Sequence, residues 1–306
     1  MPLHPQAQAL LQSMEGAPSI PEGTVDQARQ LSGMLRQLVG EGPEVGRTRT
    51  VSVPVASDLS IEALVLDPPQ SPPVGLIVYF HGGGFVVGSP RDFEAMYRKL
   101  VVSSGCRLIS ADYRLAPEYP FPAGVNDAYA TLVWAAKELA DGLPVAVAGD
   151  SSGANFAAVA ARRARDYGGP DLALQVLVYP VADHDFSRAS YRQHGHSGLL
   201  VGRADMEWYW NHYAADAGQR DDPDASPLRA ASMAGLPPAY VLIDEFDPLR
   251  DEGRAYAGRL EADGVPVIVD YVDDQLHGFF TLVNMMDSAD SAVERVGAAI
   301  RARCVR

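Results

Sequence analysis

The segment Gly149-Asp-Ser-Ser-Gly153 places serines between two glycines with the spacing G-x-S-x-G. It follows the apolar run Val145–Ala148 and precedes an alanine-rich stretch of helical character. A strand-to-helix turn this sharp strains its central residue, and only small residues two positions before and after it avoid backbone clashes. A helix that begins beside Ser151 also directs N–H groups toward developing negative charge. The pattern predicts that Ser151 is a nucleophile; a glycine-softened turn with a capping serine is the alternative.

Three glycines follow His81 in the segment His81–Phe85, directly after the apolar run Leu76–Phe80. Consecutive glycines cost conformational entropy, so this loop needs bare backbone. Loops of this HGGG type donate backbone N–H groups to oxyanion holes. A flexible or phosphate-binding loop is the alternative, but neither a Gly-Lys-Ser/Thr ending nor the spacing G-x-G-x-x-G is present. We expect His81 to hold the loop through its ring nitrogens rather than to act as a base.

A serine nucleophile needs a base, and His277 is our candidate among the 7 histidines. When a serine sits on a strand-to-helix turn, the expected chain order is serine, acid, histidine. His277 follows the last predicted strand, Val267–Tyr271, whereas His4 and His81 precede Ser151. The other histidines lie in an irregular interval where no predicted strand fixes them: His184, His194, His196 and His212.

The orienting acid should lie on the loop after the preceding strand, which ends with Tyr240–Ile243. We favour Asp247, because Pro248 holds that loop open and the aspartate lies beyond the strand end. Asp251 is better placed to cap the following helix. Two other nearby acids, Asp244 and Glu245, lie at the end of the strand itself. Asp273 and Asp274 lie on the same loop as His277, which makes them poorer choices on chain order. A serine, an acid and a histidine in these roles perform two-step acyl transfer.

The elements that must position these residues alternate between short apolar runs and helical patterns. Continuous apolar runs are typical of strands buried on both faces of a parallel sheet. They are Leu76–Phe80, Arg107–Ala111, Val145–Ala148, Leu174–Tyr179, Tyr240–Ile243 and Val267–Tyr271. Helical patterns occupy Val25–Val39, Val125–Leu139, the stretch after Gly153, Asp251–Gly264 and Ser288–Arg301. This alternation predicts a doubly wound, mostly parallel α/β sheet, and the polar-apolar alternation in Thr48–Leu66 predicts an antiparallel pair at its start.

Composition limits the class of protein and its partners. Of the 306 residues, 47% are hydrophobic and 21% charged, which suits one large core and excludes disordered, collagenous and coiled-coil chains. The 39 acidic and 25 basic residues give a net charge of -14, which repels phosphate backbones and anionic lipids. We therefore expect no nucleic-acid partner.

The first residues and the two cysteines bear on the compartment. The segment Met1–Met14 has neither the basic region nor the apolar run of a signal peptide. No stretch reaches the roughly 18 apolar residues of a membrane span. We therefore expect a cytoplasmic protein without a membrane span. Cys106 and Cys304 are too few for a four-cysteine zinc site, and we expect both to be reduced bystanders.

Six groups of residues together resemble the bacterial hormone-sensitive-lipase-like carboxylesterases (family IV), in the branch with a GDSAG-type serine turn. They are His81–Phe85, Asp112–Glu118 with Phe121–Ala123, Gly149–Gly153, Ser226–Leu228, Asp247–Asp251 and His277–Phe279. The resemblance implies an α/β-hydrolase core at 46–181 and 228–306 under a helical cap at 1–45 and 182–227. It also implies hydrolysis of short- to medium-chain acyl esters without a cofactor or metal.

The same resemblance implies roles for individual residues. Matched motif by motif, Ser151, Asp247 and His277 form a catalytic triad. Three backbone N–H groups form the oxyanion hole, those of Gly83, Gly84 and Ser152. Ser152 stands where the family usually has alanine, and we expect activity to be kept because the donor is a backbone group.

The aromatic residues of the interval 182–227 are candidates for the substrate pocket. We expect Trp208, Tyr209 and Trp210, together with Phe85, to line an acyl or alcohol pocket; packing of cap against core is the alternative. An amidase or peptidase would use the same groups as an esterase, and a non-catalytic receptor of the same fold would have lost the triad. The expected partner is a small-molecule ester, and a homodimer is left open.

Overall fold

The computed structural model describes residues 2–16, 20–70, 72–196 and 200–305. The strands within these residues are β1 (Arg47–Ala56), β2 (Leu59–Asp67), β3 (Leu76–Phe80), β4 (Arg107–Ala111), β5 (Val145–Asp150), β6 (Leu174–Val178), β7 (Ala239–Phe246) and β8 (Val267–Leu276). They form one sheet in the order β1-β2-β4-β3-β5-β6-β7-β8. The pairs β1-β2 and β2-β4 are antiparallel and all other neighbours are parallel. The predicted mostly parallel sheet with an antiparallel start is confirmed.

Helices connect the strands and flank the sheet. They are α1 (Pro5–Ser13), α2 (Val25–Val39), α3 (Glu94–Ser104), α4 (Ala123–Glu138), α5 (Ser152–Tyr167), α6 (Ala189–His194), α7 (Arg203–Tyr213), α8 (Ala217–Arg220), α9 (Arg250–Ala262) and α10 (Asp287–Cys304). The sequence patterns predicted α2, α4, α5, α9 and α10, but they missed α3 and placed no individual helix in the interval 182–227, where α6, α7 and α8 lie. The largest buried side chains of α3 come in two adjacent pairs four positions apart, a helical spacing that was available in the sequence: Met96, Tyr97, Leu100 and Val101. No described helix is both long and apolar enough to cross a membrane.

Alternate residues of the central strands face opposite layers of helices. In β5, Val147 packs in the layer that contains α4 and α5. Ala146 and Ala148 face the layer that contains α3 and α10. Both faces of the sheet are therefore buried, which explains why the strands are continuous apolar runs.

The parallel strands bring the candidate catalytic residues to one edge of the sheet. β3 leads into the glycine loop after His81, β5 leads to Ser151, β7 to Asp247 and β8 to His277. In parallel sheets the carboxyl ends of the strands lie at the same edge, where ligands bind. Residues far apart in the chain thus meet at this edge.

The two segments expected to form a cap contain α1 and α2 and the group α6–α8. Helix α7 contacts the short helical turn Ile20–Glu22 of the first segment. The two segments therefore meet, although they are far apart in the chain. The division into a core at 46–181 and 228–306 and a cap at 1–45 and 182–227 stays a prediction.

The segment Asp112–Glu118 after β4 braces the glycine loop against α4. The Tyr113 hydroxyl donates to the carbonyl oxygen of His81 at 2.7 Å. The guanidinium of Arg114 donates to Asp127 on α4 at 2.9 and 2.7 Å. The Arg114 backbone N–H donates to the same carboxylate at 3.0 Å. Because Asp127 is fully buried and Arg114 is its charged partner, these bonds fix the segment Asp112–Glu118 against α4.

Replacing Arg114 with alanine should lower the free energy of unfolding by about 3 kcal/mol, because Asp127 is fully buried and would lose its charged partner. Urea denaturation followed by circular dichroism measures this change. The control is Lys137→Ala, since the ion pair between Lys137 and Glu138 is largely exposed and should contribute little. Equal midpoints for Arg114→Ala and Lys137→Ala would contradict the bracing role.

Candidate active site

The turn from β5 to α5 holds Ser151 in a strained backbone conformation. Its φ is +53° and its ψ is -120°. A Cβ on Gly149 would lie 2.3 Å from the carbonyl group of Gly153, and a Cβ on Gly153 would lie 2.0 Å from the carbonyl oxygen of Phe80. No side chain fits at either glycine, which is the physical reason for the G-x-S-x-G spacing.

The structure brings together the three residues proposed as a triad. His277 Nδ1 lies 2.8 Å from Asp247 Oδ2, and His277 Nε2 lies 2.9 Å from Ser151 Oγ. The other Asp247 oxygen accepts the N–H of Leu249 at 2.7 Å. Because the Asp247 carboxylate accepts a hydrogen bond from Nδ1–H, Nε2 is the nitrogen left to accept the hydroxyl proton of Ser151.

The glycine loop presents unpaired backbone donors next to this triad. Gly83 and Gly84 have φ values of +120° and +57°, which favour glycine. Within the described residues, the N–H groups of Gly83 and Gly84 donate no hydrogen bond to the protein. Ser152 is the first residue of α5, where a backbone N–H has no acceptor within the helix. These three N–H groups are available to a negatively charged oxygen.

A cavity of about 200 Å³ opens onto Ser151 and His277. Most of its remaining lining is apolar, and about half of it comes from the two segments outside the predicted core. The first segment contributes Leu10, Met14, Ile20, Ala28, Leu31 and Ser32. The second contributes Leu200, Val201, Met206 and Tyr209. The cavity therefore combines a serine, a histidine and backbone donors with a hydrophobic enclosure, as acyl transfer to a non-polar substrate requires.

A protein family described as an alpha/beta hydrolase fold matches residues 77–281. The chain belongs to this α/β-hydrolase family. It is 39% identical to the carboxylic ester hydrolase LipN of Mycobacterium tuberculosis, in a match that covers 76% of this chain and 64% of LipN. It is 31% identical to an ethyl acetate hydrolase of Pseudomonas putida, over 98% of this chain and 99% of the relative.

A solved esterase structure is also similar to this chain. The hyperthermophilic esterase of the archaeon Pyrobaculum calidifontis superimposes with a TM-score of 0.93 and 34% identity, over the whole of both chains. The predicted membership of the hormone-sensitive-lipase-like carboxylesterases is confirmed. The protein is a carboxylic ester hydrolase.

In this α/β hydrolase, Asp150 connects the serine turn to the glycine loop, a role that the sequence analysis missed. Its Oδ1 accepts the N–H of Gly82 and the hydroxyl of Tyr79, each at 3.0 Å. Burial raises the pKa of Asp150 to about 6, against the opposing effect of these two hydrogen bonds. An acidic residue directly before Ser151 was the available signal, because a buried carboxylate needs donors from a neighbouring element.

Tyr179 is a second residue that sequence analysis missed. It follows β6 with a φ of +36°, which is unusual for a residue with a side chain. Its ring centroid lies 4.5 Å from that of His277. Tyr179 also lines the cavity, so it both supports the histidine ring and shapes the site.

His81 holds the glycine loop, but through one ring nitrogen rather than both. Its Nδ1 lies 2.7 Å from the carbonyl oxygen of Gly82. Its ring stacks on Tyr113 at 4.4 Å and on Phe93 at 5.3 Å between centroids. His81 Nε2 is buried and has no partner among the described residues. Burial lowers the pKa of His81 to about 4, so the folded protein holds this imidazole neutral.

The low pKa of His81 predicts a loss of stability in mild acid. The unfolded chain binds a proton near pH 6.5 and the folded chain only near pH 4. The contribution of His81 is therefore fully present above pH 6.5 and is lost toward pH 4, with a slope of about 1.4 kcal/mol per pH unit.

A titration of the unfolding free energy in wild-type protein and in His81→Asn measures this slope. Asparagine keeps a donor for the Gly82 carbonyl but does not titrate, so its profile should be flatter between pH 6.5 and 4. The pKa of Asp150 is raised to about 6 and acts in the opposite direction, but it is present in both proteins and cancels in the comparison. Parallel profiles would show that His81 does not couple protonation to folding.

The expected aromatic lining needs correction. Trp210 is fully buried and packs on Phe85, with ring centroids 5.8 Å apart. Trp208 packs on His212 at 4.1 Å, and none of Trp208, Trp210 and Phe85 lines the cavity. Helix periodicity is the reason: residues three apart share a face, so Met206 and Tyr209 face the cavity whereas the neighbouring positions point elsewhere. Of the aromatic residues proposed for the pocket, Tyr209 lines it.

Proposed function

We propose that this enzyme is a serine carboxylesterase that hydrolyses short- to medium-chain acyl esters through Ser151, His277 and Asp247. One observation carries the proposal. A continuous hydrogen-bonded chain runs from Asp247 through His277 to Ser151 Oγ, with steps of 2.8 and 2.9 Å. That oxygen opens onto a largely apolar cavity rather than onto packed protein.

In the first half of the proposed reaction, His277 Nε2 takes the hydroxyl proton of Ser151 while Oγ attacks the ester carbonyl carbon. The carbonyl oxygen becomes negative, and the N–H groups of Gly83, Gly84 and Ser152 stabilise it. His277 then gives its proton to the departing alcohol, and the acyl group stays bonded to Ser151. Asp247 keeps the imidazole oriented and stabilises its positive charge.

The second half repeats these steps with water in place of the hydroxyl group. His277 removes a proton from water, the resulting nucleophile attacks the acyl carbon, and the same N–H groups stabilise the second oxyanion. The carboxylic acid leaves and Ser151 recovers its proton. Each half therefore begins and ends with a neutral histidine.

Replacing Ser151 with alanine should reduce kcat by roughly 10⁴-fold or more, because no other group can take its place in the acyl-enzyme. Replacing Ser152 with alanine should keep most of the activity, since its contribution is a backbone N–H. Hydrolysis of p-nitrophenyl butyrate by the purified, folded variants measures both effects. Wild-type turnover in Ser151→Ala would overturn the assignment of the nucleophile.

The enclosed cavity should set the preferred acyl length. Each added CH₂ that enters an apolar pocket contributes up to about 0.8 kcal/mol, or roughly fourfold in kcat/KM when the gain is present in the transition state. Activity should rise with acyl length and then fall when the chain outgrows the space between α2 and α7. Met206 projects from α7 into this space and is the side chain that we expect to limit it.

Met206→Ala should therefore move the optimum toward longer acyl chains and change the hydrolysis of acetate comparatively little. The matched control is Trp208→Ala, which removes a larger side chain from the same helix but not from the cavity wall. kcat/KM for p-nitrophenyl esters of increasing acyl length compares the two variants. An unchanged optimum in Met206→Ala, or an equal shift in Trp208→Ala, would contradict the proposed pocket.

The same catalytic groups can attack an amide, so ester and amide need a direct comparison. A p-nitrophenyl ester and the p-nitroanilide with the same acyl group differ only at the leaving atom. We expect the ester to be strongly preferred, and comparable kcat/KM values would favour an amidase. A cytoplasmic location and a homodimer stay predictions.

A further inference from the structure

The two cysteines lie together at the end of the sheet opposite the active site. Cys106 immediately precedes β4, and Cys304 is the last residue of α10. A Cβ on Gly75 would lie 2.5 Å from the Cys304 sulfur and 3.1 Å from the Cys106 sulfur. The two sulfurs therefore border the same small volume, which exists because Gly75 has no side chain. Both cysteines are free thiols.

The two sulfurs differ in their access to solvent. Cys304 lines a surface cavity of about 570 Å³ between the loops that precede β5 and β6. Cys106 is fully buried behind it, whereas Cys304 is 6% exposed. A small solute that enters this cavity meets Cys304 first.

The contact between the thiols also makes them chemically unequal. The Cys106 S–H donates to the carbonyl oxygen of Ser104 at 3.9 Å. The interaction between the two neighbouring cysteines raises the pKa of Cys106 and lowers the pKa of Cys304. The thiolate is the reactive form of a cysteine. Cys304 is therefore the nucleophile of the pair, and Cys106 is the thiol that follows.

We propose that Cys106 and Cys304 are a redox-modification site, at which hydrogen peroxide produces a reversible disulfide that fastens α10 to the sheet. The Cys304 thiolate attacks one peroxide oxygen, the O–O bond breaks, and hydroxide leaves, so that Cys304 becomes a sulfenic acid. The Cys106 thiol then attacks this sulfur, the S–O bond breaks, and water leaves with the thiol proton. Sulfur loses two electrons and peroxide gains them. A dithiol reductant reverses the modification.

The disulfide should stabilise the fold without changing the chemistry of the active site. Helix α10 packs against α3 and against the helical turn Phe279–Thr281, which follows His277. A bond at Cys304 would close the long stretch of chain that begins at Cys106, which reduces the entropy of the unfolded state. We expect the unfolding midpoint to rise by roughly 5 °C, with unchanged esterase activity at room temperature.

The test treats the full-length reduced protein with a small excess of hydrogen peroxide and then blocks the remaining thiols with N-ethylmaleimide. Peptide mapping without reductant should show the Cys106 and Cys304 peptides joined, in a protein that stays monomeric on a non-reducing gel. In Cys106→Ser, the Cys304 peptide should gain oxygen instead. In Cys304→Ser, the buried Cys106 should stay unmodified.

Three results would overturn the proposal: unjoined cysteine peptides in the wild type, disulfides between two chains, or a joined pair without a higher unfolding midpoint. Peptide mapping and the non-reducing gel of the wild-type protein alone decide the first two of these results, even if a variant fails to fold. The proposal does not depend on the triad, because Ser151→Ala should form the same disulfide. A failure of the catalytic assignment and a failure of the cysteine assignment can therefore be distinguished.

Discussion

The close approach of the serine turn to the end of β3 is the constraint on which the rest of the site depends. Because a Cβ on Gly153 would lie 2.0 Å from the Phe80 carbonyl oxygen, backbone touches backbone at this point. Hydrogen bonds on both sides hold the strained Ser151: its N–H donates to Val178, and its carbonyl accepts from Val181. The backbone around β5 and β6 thus fixes Ser151, the proposed nucleophile, through main-chain hydrogen bonds rather than through its side chain.

The same approach positions the glycine loop that we propose as the oxyanion hole. Asp150 lies one residue before the nucleophile and accepts the N–H of Gly82, so the serine turn and the glycine loop share one carboxylate. The Tyr113 hydroxyl then fixes the loop from the other side at the carbonyl of His81. Ser151 and the proposed oxyanion donors are therefore positioned by a common set of hydrogen bonds.

Sequence patterns predict features that local chemistry determines. The strands, the serine turn and the choice of His277 follow from apolar runs, glycine spacing and chain order. The cavity wall does not, because the burial of Trp210 and the exposure of Tyr209 to the cavity depend on how α7 is rotated against its neighbours. The contact between Cys106 and Cys304 is equally invisible in the sequence, since it joins positions at distant points of the chain.

One side of the cavity is lined by residues before the matched family region, which begins at residue 77. Arg29 connects this part of the wall to the segments around the glycine loop. From α2, its guanidinium donates to the carbonyl oxygens of Val86 and Ala116 at 3.0 and 3.1 Å, and to both oxygens of Glu118. Val86 follows the glycine loop directly, so these hydrogen bonds fix the position of the helix that lines the pocket relative to the loop that we propose as the oxyanion hole. The N-terminal segment therefore positions part of the cavity wall relative to the proposed oxyanion donors, although it contributes none of the proposed catalytic groups.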